Sequence, residues 1–329
     1  ALAREIVFLK SNWFEFVFKQ RGGELITELE KLQASLDAVD VRTAELAASA
    51  LKMQDAVPLD FSGYLPLQLD VSRFRNFLAT LLLWLKSPDE HRVLVFLQNP
   101  SEMRPGGGFI GSYVDIAIEN GNLKNLEVRD INDPDREFGT KIVPPKPLQA
   151  LVTRWRAADA NWFFDFSDSA SKVIEFMEAS DFYNGSSTTF DGAIGLSSEA
   201  VADLFEITGP IELPERKLAF NKENFLTEIQ KQVEVNREKN VSQPKKILSE
   251  LVPLMLEKLS ALQGADKEKV FTLFENWLRK RDMTFYFKDP EFAKFFDYYG
   301  WTGKVAALPP NFRGDYFAVV NSNIGCGKT

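Results

Sequence analysis

The segment EMRPGGGFIGS, residues 102–112, places an arginine beside three consecutive glycines in an otherwise apolar stretch. Glycine lets backbone N–H groups converge without obstruction by side chains, and an arginine fork can bind two phosphate oxygens at once. Arg104 with Gly106, Gly107 and Gly108 is therefore a candidate anion-binding nest. A tight turn between two strands would need the same glycines, so the pattern leaves both interpretations open.

Two adjacent lysines form a second candidate site. Lys245 and Lys246 follow Pro244, a residue favoured in the first turn of a helix, so we expect both cations at the positive end of that helix. A bound anion would relieve a conflict of about 0.3–1 kcal/mol per charge between these cations and the helix dipole. Extension of both side chains into solvent is the alternative.

Two aspartates are candidates for acid–base chemistry. Asp130 and Asp133 follow a strand-like run, where a carboxylate could take a proton from a hydroxyl as a general base. Aspartate also ends strands through its turn chemistry, so a purely structural role stays open for both residues.

Composition limits the classes of function. The 329 residues carry a formal net charge of −8, which argues against nucleic-acid binding and requires any anion site to be a local concentration of cations. A single cysteine, Cys326, excludes an internal disulfide, and a single histidine, His91, argues against His-rich metal sites and a His-based triad. The apolar content of 45% supports a substantial core.

Hydrophobic periodicity predicts the elements that position these residues. Apolar residues recur at helical spacing over 24–53 and 72–86, which predicts a helical arm over residues 1–88. From residue 89 onward, strand-like and helix-like runs alternate, and Asn120-Gly121 is typical of a tight hairpin turn. The predicted fold class is α/β, with a mixed β-sheet layered between helices over 89–329. The predicted strands are 92–98, 110–118, 123–129, 190–196 and 315–321.

Both ends of the sequence look cut, because it begins at Ala1 and stops just after the last predicted strand. We therefore expect the α/β domain to continue past residue 329. No run of 18 apolar residues is present in these 329 residues, and because both ends look cut this says little about the full-length protein.

Several separated motifs resemble one family. In chain order they are LQNPSEMRPGGGFIGSYVDIAIENGNLKNLEVRD, NWFFDFSDSA, FDGAIGLSSEAVADLFEITGPIEL, NKENF and VVNSNIGCGK. They look like successive blocks of domain-of-unknown-function family 4012, a group of bacterial envelope proteins, over roughly residues 90–329. The resemblance implies a location at the extracytoplasmic face of the bacterial cell membrane, with an anchor upstream of this chain.

That family is in turn similar to the LytR-CpsA-Psr phosphotransferases, which move glycopolymers from a polyprenyl diphosphate carrier onto the cell wall. Their Arg-bearing segment that opens one strand resembles Arg104, and their Arg-Asp pair that ends the next strand resembles Arg129-Asp130. Their later Arg-Gln helix segment falls near Lys245 and Lys246, which are substitutions. The resemblance implies a similar sheet in which these cations neutralise a diphosphate and Asp130 positions or deprotonates an acceptor hydroxyl.

The same resemblance implies Mg²⁺ as a cofactor, since those enzymes bind a divalent ion through aspartates near the first arginine. This chain has Asn99, Glu102 and glycine at that point, so Glu102 alone could supply a carboxylate oxygen.

Three functions stay open at this stage. The first is a cell-envelope phosphotransferase acting on a polyprenyl-diphosphate-linked glycopolymer, and the second is a non-catalytic envelope module that binds a glycan or lipid carrier. The third is a phosphate-loop nucleotide hydrolase, suggested by NSNIGCGKT, but Ser322 stands where that loop requires a glycine. We favour the first, and we expect Arg104, Arg129 and Asp130 to approach one another across neighbouring strands.

Overall fold

The computed structural model describes residues 2–53, 64–238, 245–305, 307–315 and 317–323. The chain forms two compact units. The first consists of Ala1–His91, Ile118–Lys124 and Asp289–Phe295, and the second consists of Arg92–Ala117, Asn125–Lys288 and Phe296–Thr329.

The first unit is mainly helical, which confirms the predicted N-terminal helical region. It contains α1 (Leu2–Phe18), α2 (Gly22–Met53) and α3 (Tyr64–Lys86). Leucines at helical spacing form the buried core that joins α2 to α3: Leu29, Leu32, Leu36, Leu78, Leu82 and Leu85. None of the helices that the structure describes combines the length and apolar character needed to cross a membrane.

The second unit is built on a five-stranded mixed sheet, which confirms the predicted α/β class. The strands of the chain are β1 (His91–Asn99), β2 (Phe109–Glu119), β3 (Asn122–Asp130), β4 (Gly192–Ser197), β5 (Ile211–Leu213), β6 (Leu218–Phe220) and β7 (Met283–Phe287). Their order in the main sheet is β3-β2-β1-β4-β7, with β4 parallel to β1 and β7 antiparallel to β4. β5 and β6 form a separate two-stranded sheet.

The helices of the second unit are α4 (Asn132–Arg136), α5 (Phe166–Glu178), α6 (Asp181–Asn184), α7 (Ser198–Asp203), α8 (Phe205–Thr208), α9 (Phe225–Glu238), α10 (Lys246–Ser260) and α11 (Ala265–Lys280). The last helix, α12 (Pro290–Tyr298), begins in the segment that belongs to the first unit. α5 shows why these segments form: the Asp165 side chain caps its first turn by accepting the Ser167 N–H, and Ala170, Val173 and Met177 bury one face in the core.

Four of the five predicted strands are confirmed, and the fifth is wrong. The described residues of 315–321 form no strand, and Phe317 and Val319 are 86% and 67% exposed. The fifth strand is instead β7, which pairs with β4 directly after α11. A strand forms only where a neighbour accepts its backbone hydrogen bonds, and the apolar pattern of 315–321 does not reveal that β7 pairs with β4.

A buried polar network ties the sheet to α6. Arg92 on β1 donates two hydrogen bonds to the fully buried Asp115 on β2, at 3.2 and 3.0 Å. The Tyr183 hydroxyl donates to the same carboxylate at 3.0 Å and contacts the Tyr113 hydroxyl at 2.7 Å. Burial raises the pKa of both tyrosines. The network fixes α6 against the sheet, and α6 carries the ring of Phe182.

Candidate functional site

The triple glycine packs against buried side-chain amides. A Cβ atom at Gly106 would lie 1.9 Å from the Oδ1 of Asn161, and Gly108 has a φ of +133°, which side chains rarely adopt. The Asn161 Nδ2 donates to the Gly108 carbonyl at 2.6 Å, and the Gln98 Nε2 donates to the Gly106 carbonyl at 2.8 Å. Close packing and backbone conformation therefore account for these two glycines.

Gly107 and Arg104 also have partners inside the loop. Gly107 donates its amide N–H to the Arg104 carbonyl at 3.1 Å. The Arg104 Nη1 donates to the carbonyls of Met103 and Asn323, at 3.0 and 2.6 Å, and its guanidinium lies 5.3 Å from the centre of the Phe109 ring. Asn323 donates its own N–H back to the Met103 carbonyl. Arg104 thus fastens residue 323 to the glycine loop.

A surface cleft of about 400 Å³ lies where β3 ends and α10 begins. Four cations and three carboxylates contribute to its wall, in a chain whose net charge is negative. The residues that line it are Ser112, Leu126, Glu127, Val128, Arg129, Asp130, Asp133, Arg136, Lys245, Lys246, Ser249 and Pro253. The lining therefore carries a net charge of +1 in a chain of net charge −8, which makes the cleft a candidate anion site.

The deepest ion pair of the cleft joins Lys245 to Asp130. The Lys245 Nζ donates to the Asp130 Oδ1 at 2.9 Å and also to the Gly111 carbonyl. The same Oδ1 accepts the backbone and side-chain N–H groups of Asn132, at 3.0 and 2.7 Å. The side chains of Lys245 and Asp130 are only 11% and 13% exposed, so this pair fixes the start of α10 against the ends of β2 and β3.

Arg129 lies at the more exposed part of the cleft. Its Nη2 pairs with the carboxylate of Glu127, two residues earlier on β3. Its guanidinium lies 5.1 Å from the centre of the Phe182 ring, an arrangement that favours a cation electrostatically. The aromatic ring of α6 therefore supports one side of a guanidinium that reaches solvent.

The short helix α4 supplies Asp133 and Arg136, which pair with each other. Asp135 anchors this helix: its two carboxylate oxygens accept the N–H groups of Ala157 and Ala158, at 2.7 and 3.1 Å. Burial raises the pKa of Asp135 to about 6, against the lowering effect of those two hydrogen bonds. Asp135 faces the core and does not line the cleft.

The first turns of α10 complete the wall. Lys246 is exposed and, in the part of the chain that the structure describes, has no ion-pair partner within 4 Å. Pro253 lacks the N–H that would bond to the Ser249 carbonyl, so that carbonyl loses its usual partner within the helix. Ser249 and Pro253 are both among the residues that line the cleft.

The structure brings together some of the predicted site residues but not all of them. Arg129, Asp130, Lys245 and Lys246 line one cleft, together with Asp133. Arg104 and Gly106–108 are not among the lining residues, so the expected approach of Arg104 to the other two is not seen in the cleft. Sequence reasoning missed Arg136, although its spacing of three residues from Asp133 on a helical turn was a usable signal.

The residues present do not fit a magnesium site near Arg104. The Glu102 carboxylate accepts from the Asn99 side chain at 3.5 Å. Among the described residues, no three His, Cys, Asp or Glu side chains cluster in a way that could bind a metal ion. Glu102 alone cannot supply the several oxygen ligands that Mg²⁺ needs from a protein and its substrate, so we derive no step through a metal.

The fold and the cleft define an α/β domain with a cationic surface site. Residues 89–233 match the family model described as "Protein of unknown function (DUF4012)", so this segment is similar to that family. The motif resemblance is confirmed there, and beyond residue 233 it stays a prediction.

Comparison with other proteins adds little to this assignment. A search of curated proteins finds no match. A crystal structure described as the transcriptional regulator yvhJ from Bacillus subtilis is similar at 13% sequence identity, covering 66% of this chain and 98% of that chain. Its TM-score of 0.30 is too low for any argument about fold or function.

Proposed function

We propose that the cleft binds the diphosphate of a polyprenyl-linked glycopolymer and that the protein acts as a phosphotransferase of the bacterial cell envelope. The observation that carries the proposal is the convergence of Arg129, Arg136, Lys245 and Lys246 on one cleft of an acidic chain. With three carboxylates beside these four cations the lining carries a net charge of +1, which favours an anion, and the fork of an arginine suits the oxygens of a phosphate. The envelope location rests on the motif resemblance alone.

The cations contribute in different ways. Arg129 and Lys246 reach solvent and can contact phosphate oxygens directly, while the N–H groups in the first turn of α10 add the positive end of a helix dipole. Lys245 is already committed to Asp130 and Gly111, so its charge acts at a distance and its hydrogen bonds maintain the shape of the cleft.

The apolar part of the lining favours a lipid-linked ligand over a free phosphate. Leu126, Val128 and Pro253 lie beside the cations in the same cleft. A polyprenyl diphosphate presents apolar isoprene units next to its charges, so one ligand can satisfy both kinds of surface.

The proposed reaction needs an acceptor hydroxyl. Its oxygen attacks the glycan-proximal phosphorus, the bond from that phosphorus to the bridging oxygen breaks, and polyprenyl monophosphate leaves with the bond electrons. The hydroxyl proton passes to a carboxylate or to water. Asp133, 27% exposed, is the more accessible carboxylate for this step, and Asp130 positions Lys245.

A non-catalytic binding module is the second candidate, and one observation favours it. Three donors converge on the Oδ1 of Asp130, which is the residue that the resemblance implies as the base or the positioning group for the acceptor hydroxyl. These hydrogen bonds give the Asp130 carboxylate a structural role instead. A protein that only binds the carrier would need the same cations and no base.

Turnover separates the two candidates. The protein is incubated with a polyprenyl-diphosphate-linked oligosaccharide and a cell-wall glycan acceptor, and released polyprenyl monophosphate is measured. The transferase account predicts release that Asp133→Asn reduces at least tenfold while Glu223→Asn, at an exposed position outside the cleft, leaves it unchanged. Binding without release would establish the module, and the absence of both would refute the proposed ligand.

A further inference from the structure

Among the described residues that line the cleft, Glu127 is the one glutamate, and it pairs with Arg129. Both residues belong to β3, two positions apart, so strand geometry keeps their side chains on the same face. Any anion that binds the guanidinium of Arg129 must therefore contend with a carboxylate that is attached to the same strand.

This pair differs in burial from the neighbouring pair of Lys245 and Asp130. The side chains of Arg129 and Glu127 are 30% and 46% exposed, so water can solvate the carboxylate once it is released. Lys245 and Asp130 are 11% and 13% exposed and share partners with the backbone, so separating them would leave charges in a poorly solvated place. Glu127 can exchange with a ligand, and Asp130 cannot do so easily.

Phe182 supports Arg129 during an exchange of Glu127 for a ligand. Its ring lies 5.1 Å below the guanidinium of Arg129, and the buried network of Tyr183 and Asp115 fixes α6, which carries the ring. Arg129 can therefore stay in position while its carboxylate partner changes.

We infer that the Glu127 carboxylate competes with a phosphate ligand for the guanidinium of Arg129. Glu127 pairs with Arg129 in the structure and is displaced when a phosphate group binds. The inference rests on the proposed function, because it assumes that the cleft binds phosphate. Its consequence is a limited affinity: Glu127 takes Arg129 back after turnover and so promotes release of the bound anion.

Calorimetric titration of the whole chain with inorganic pyrophosphate tests the inference. Glu127→Gln keeps the shape of the side chain and removes its charge, and we expect it to raise the affinity threefold or more. Glu223→Gln is the matched control, because it removes the same charge at an exposed position outside the cleft. The gain should require Arg129, so Glu127→Gln added to Arg129→Gln should give no more than the control does.

The outcomes are distinct. The inference about Glu127 would be overturned by any of three results: a gain in affinity equal to that of Glu223→Gln, a gain that persists without Arg129, or a weaker affinity in Glu127→Gln. Each of these results would leave the proposed function standing. Binding by Glu127→Gln but not by the unchanged protein would support the competitor strongly. Absence of binding by every protein would overturn both the competitor and the proposed ligand.

Discussion

Two arginines of this protein have similar aromatic supports and different partners. Arg104 lies 5.3 Å from the ring centre of Phe109, and Arg129 lies 5.1 Å from that of Phe182. Arg104 donates to two backbone carbonyls of its own loop and of residue 323, whereas Arg129 pairs with an exposed carboxylate in a cleft. The partners of an arginine, and not the residue type, therefore decide whether its guanidinium is structural or available to a ligand.

The glycine loop around Arg104 should show the largest effect on stability. In Gly108→Ala the new Cβ would lie 2.5 Å from the backbone carbonyl oxygen of Asn99, at a φ of +133°. Strain and overpacking together should cost about 2–5 kcal/mol in the free energy of unfolding, measured by urea denaturation. Gly139→Ala, where a Cβ meets nothing within 4 Å, is the matched control. Equal losses in both variants would refute the packing account of the loop.

Asp135, which anchors α4, should make the free energy of unfolding depend on pH by about 3 kcal/mol, because burial raises its pKa from 3.8 to about 6. The pKa of Asp135 is about 6 in the folded protein and near 3.8 when unperturbed, so the folded state binds the proton more tightly. Its contribution to stability is therefore fully present below about pH 4 and is lost as the pH rises through about 6.

The variant Asp135→Asn isolates this effect, because it cannot titrate. We expect the difference in unfolding free energy between the natural protein and the variant to fall from pH 4 to pH 7. A difference that stays constant, or that grows with pH, would show that the carboxylate is ionised in the folded protein throughout this range.

The sequence predicted the scaffold better than it predicted the site. The strands that became β1 to β4 have continuous apolar runs or a hairpin dipeptide, which are local signals. Phe317, in the segment wrongly predicted as a strand, is exposed because β7 and not this segment pairs with β4, and no local pattern encodes which of the two segments pairs there. The five-residue β7 was missed for the same reason.

The composition of the site was predictable only in part. The pairing of Arg129-Asp130 with Lys245 and Lys246 was expected from the resemblance and from helix-end electrostatics. The absence of Arg104 from the lining of the cleft could not be predicted, because its hydrogen bond to Asn323 joins residues that are far apart in the chain. A short motif does not indicate which distant backbone groups its side chains will contact.

The buried pair at the base of the cleft should give an intermediate effect. Lys245→Met keeps much of the side chain but leaves the Asp130 carboxylate without its cation, so we expect a loss of about 1–3 kcal/mol in unfolding free energy. Lys246→Met, at the neighbouring exposed position, should change stability by less than about 0.5 kcal/mol. Equal losses measured by urea denaturation would contradict the distinction between a fixed and an available lysine.

The two arginines can be compared in one binding experiment. Calorimetric titration with a short-chain polyprenyl diphosphate is carried out on the natural protein, Arg129→Gln and Arg104→Gln. We predict that Arg129→Gln weakens binding about tenfold or more, equivalent to about 1.4 kcal/mol, whereas Arg104→Gln leaves the affinity within about twofold. A larger loss in Arg104→Gln than in Arg129→Gln, or no binding by the natural protein, would contradict the assignment of the cleft.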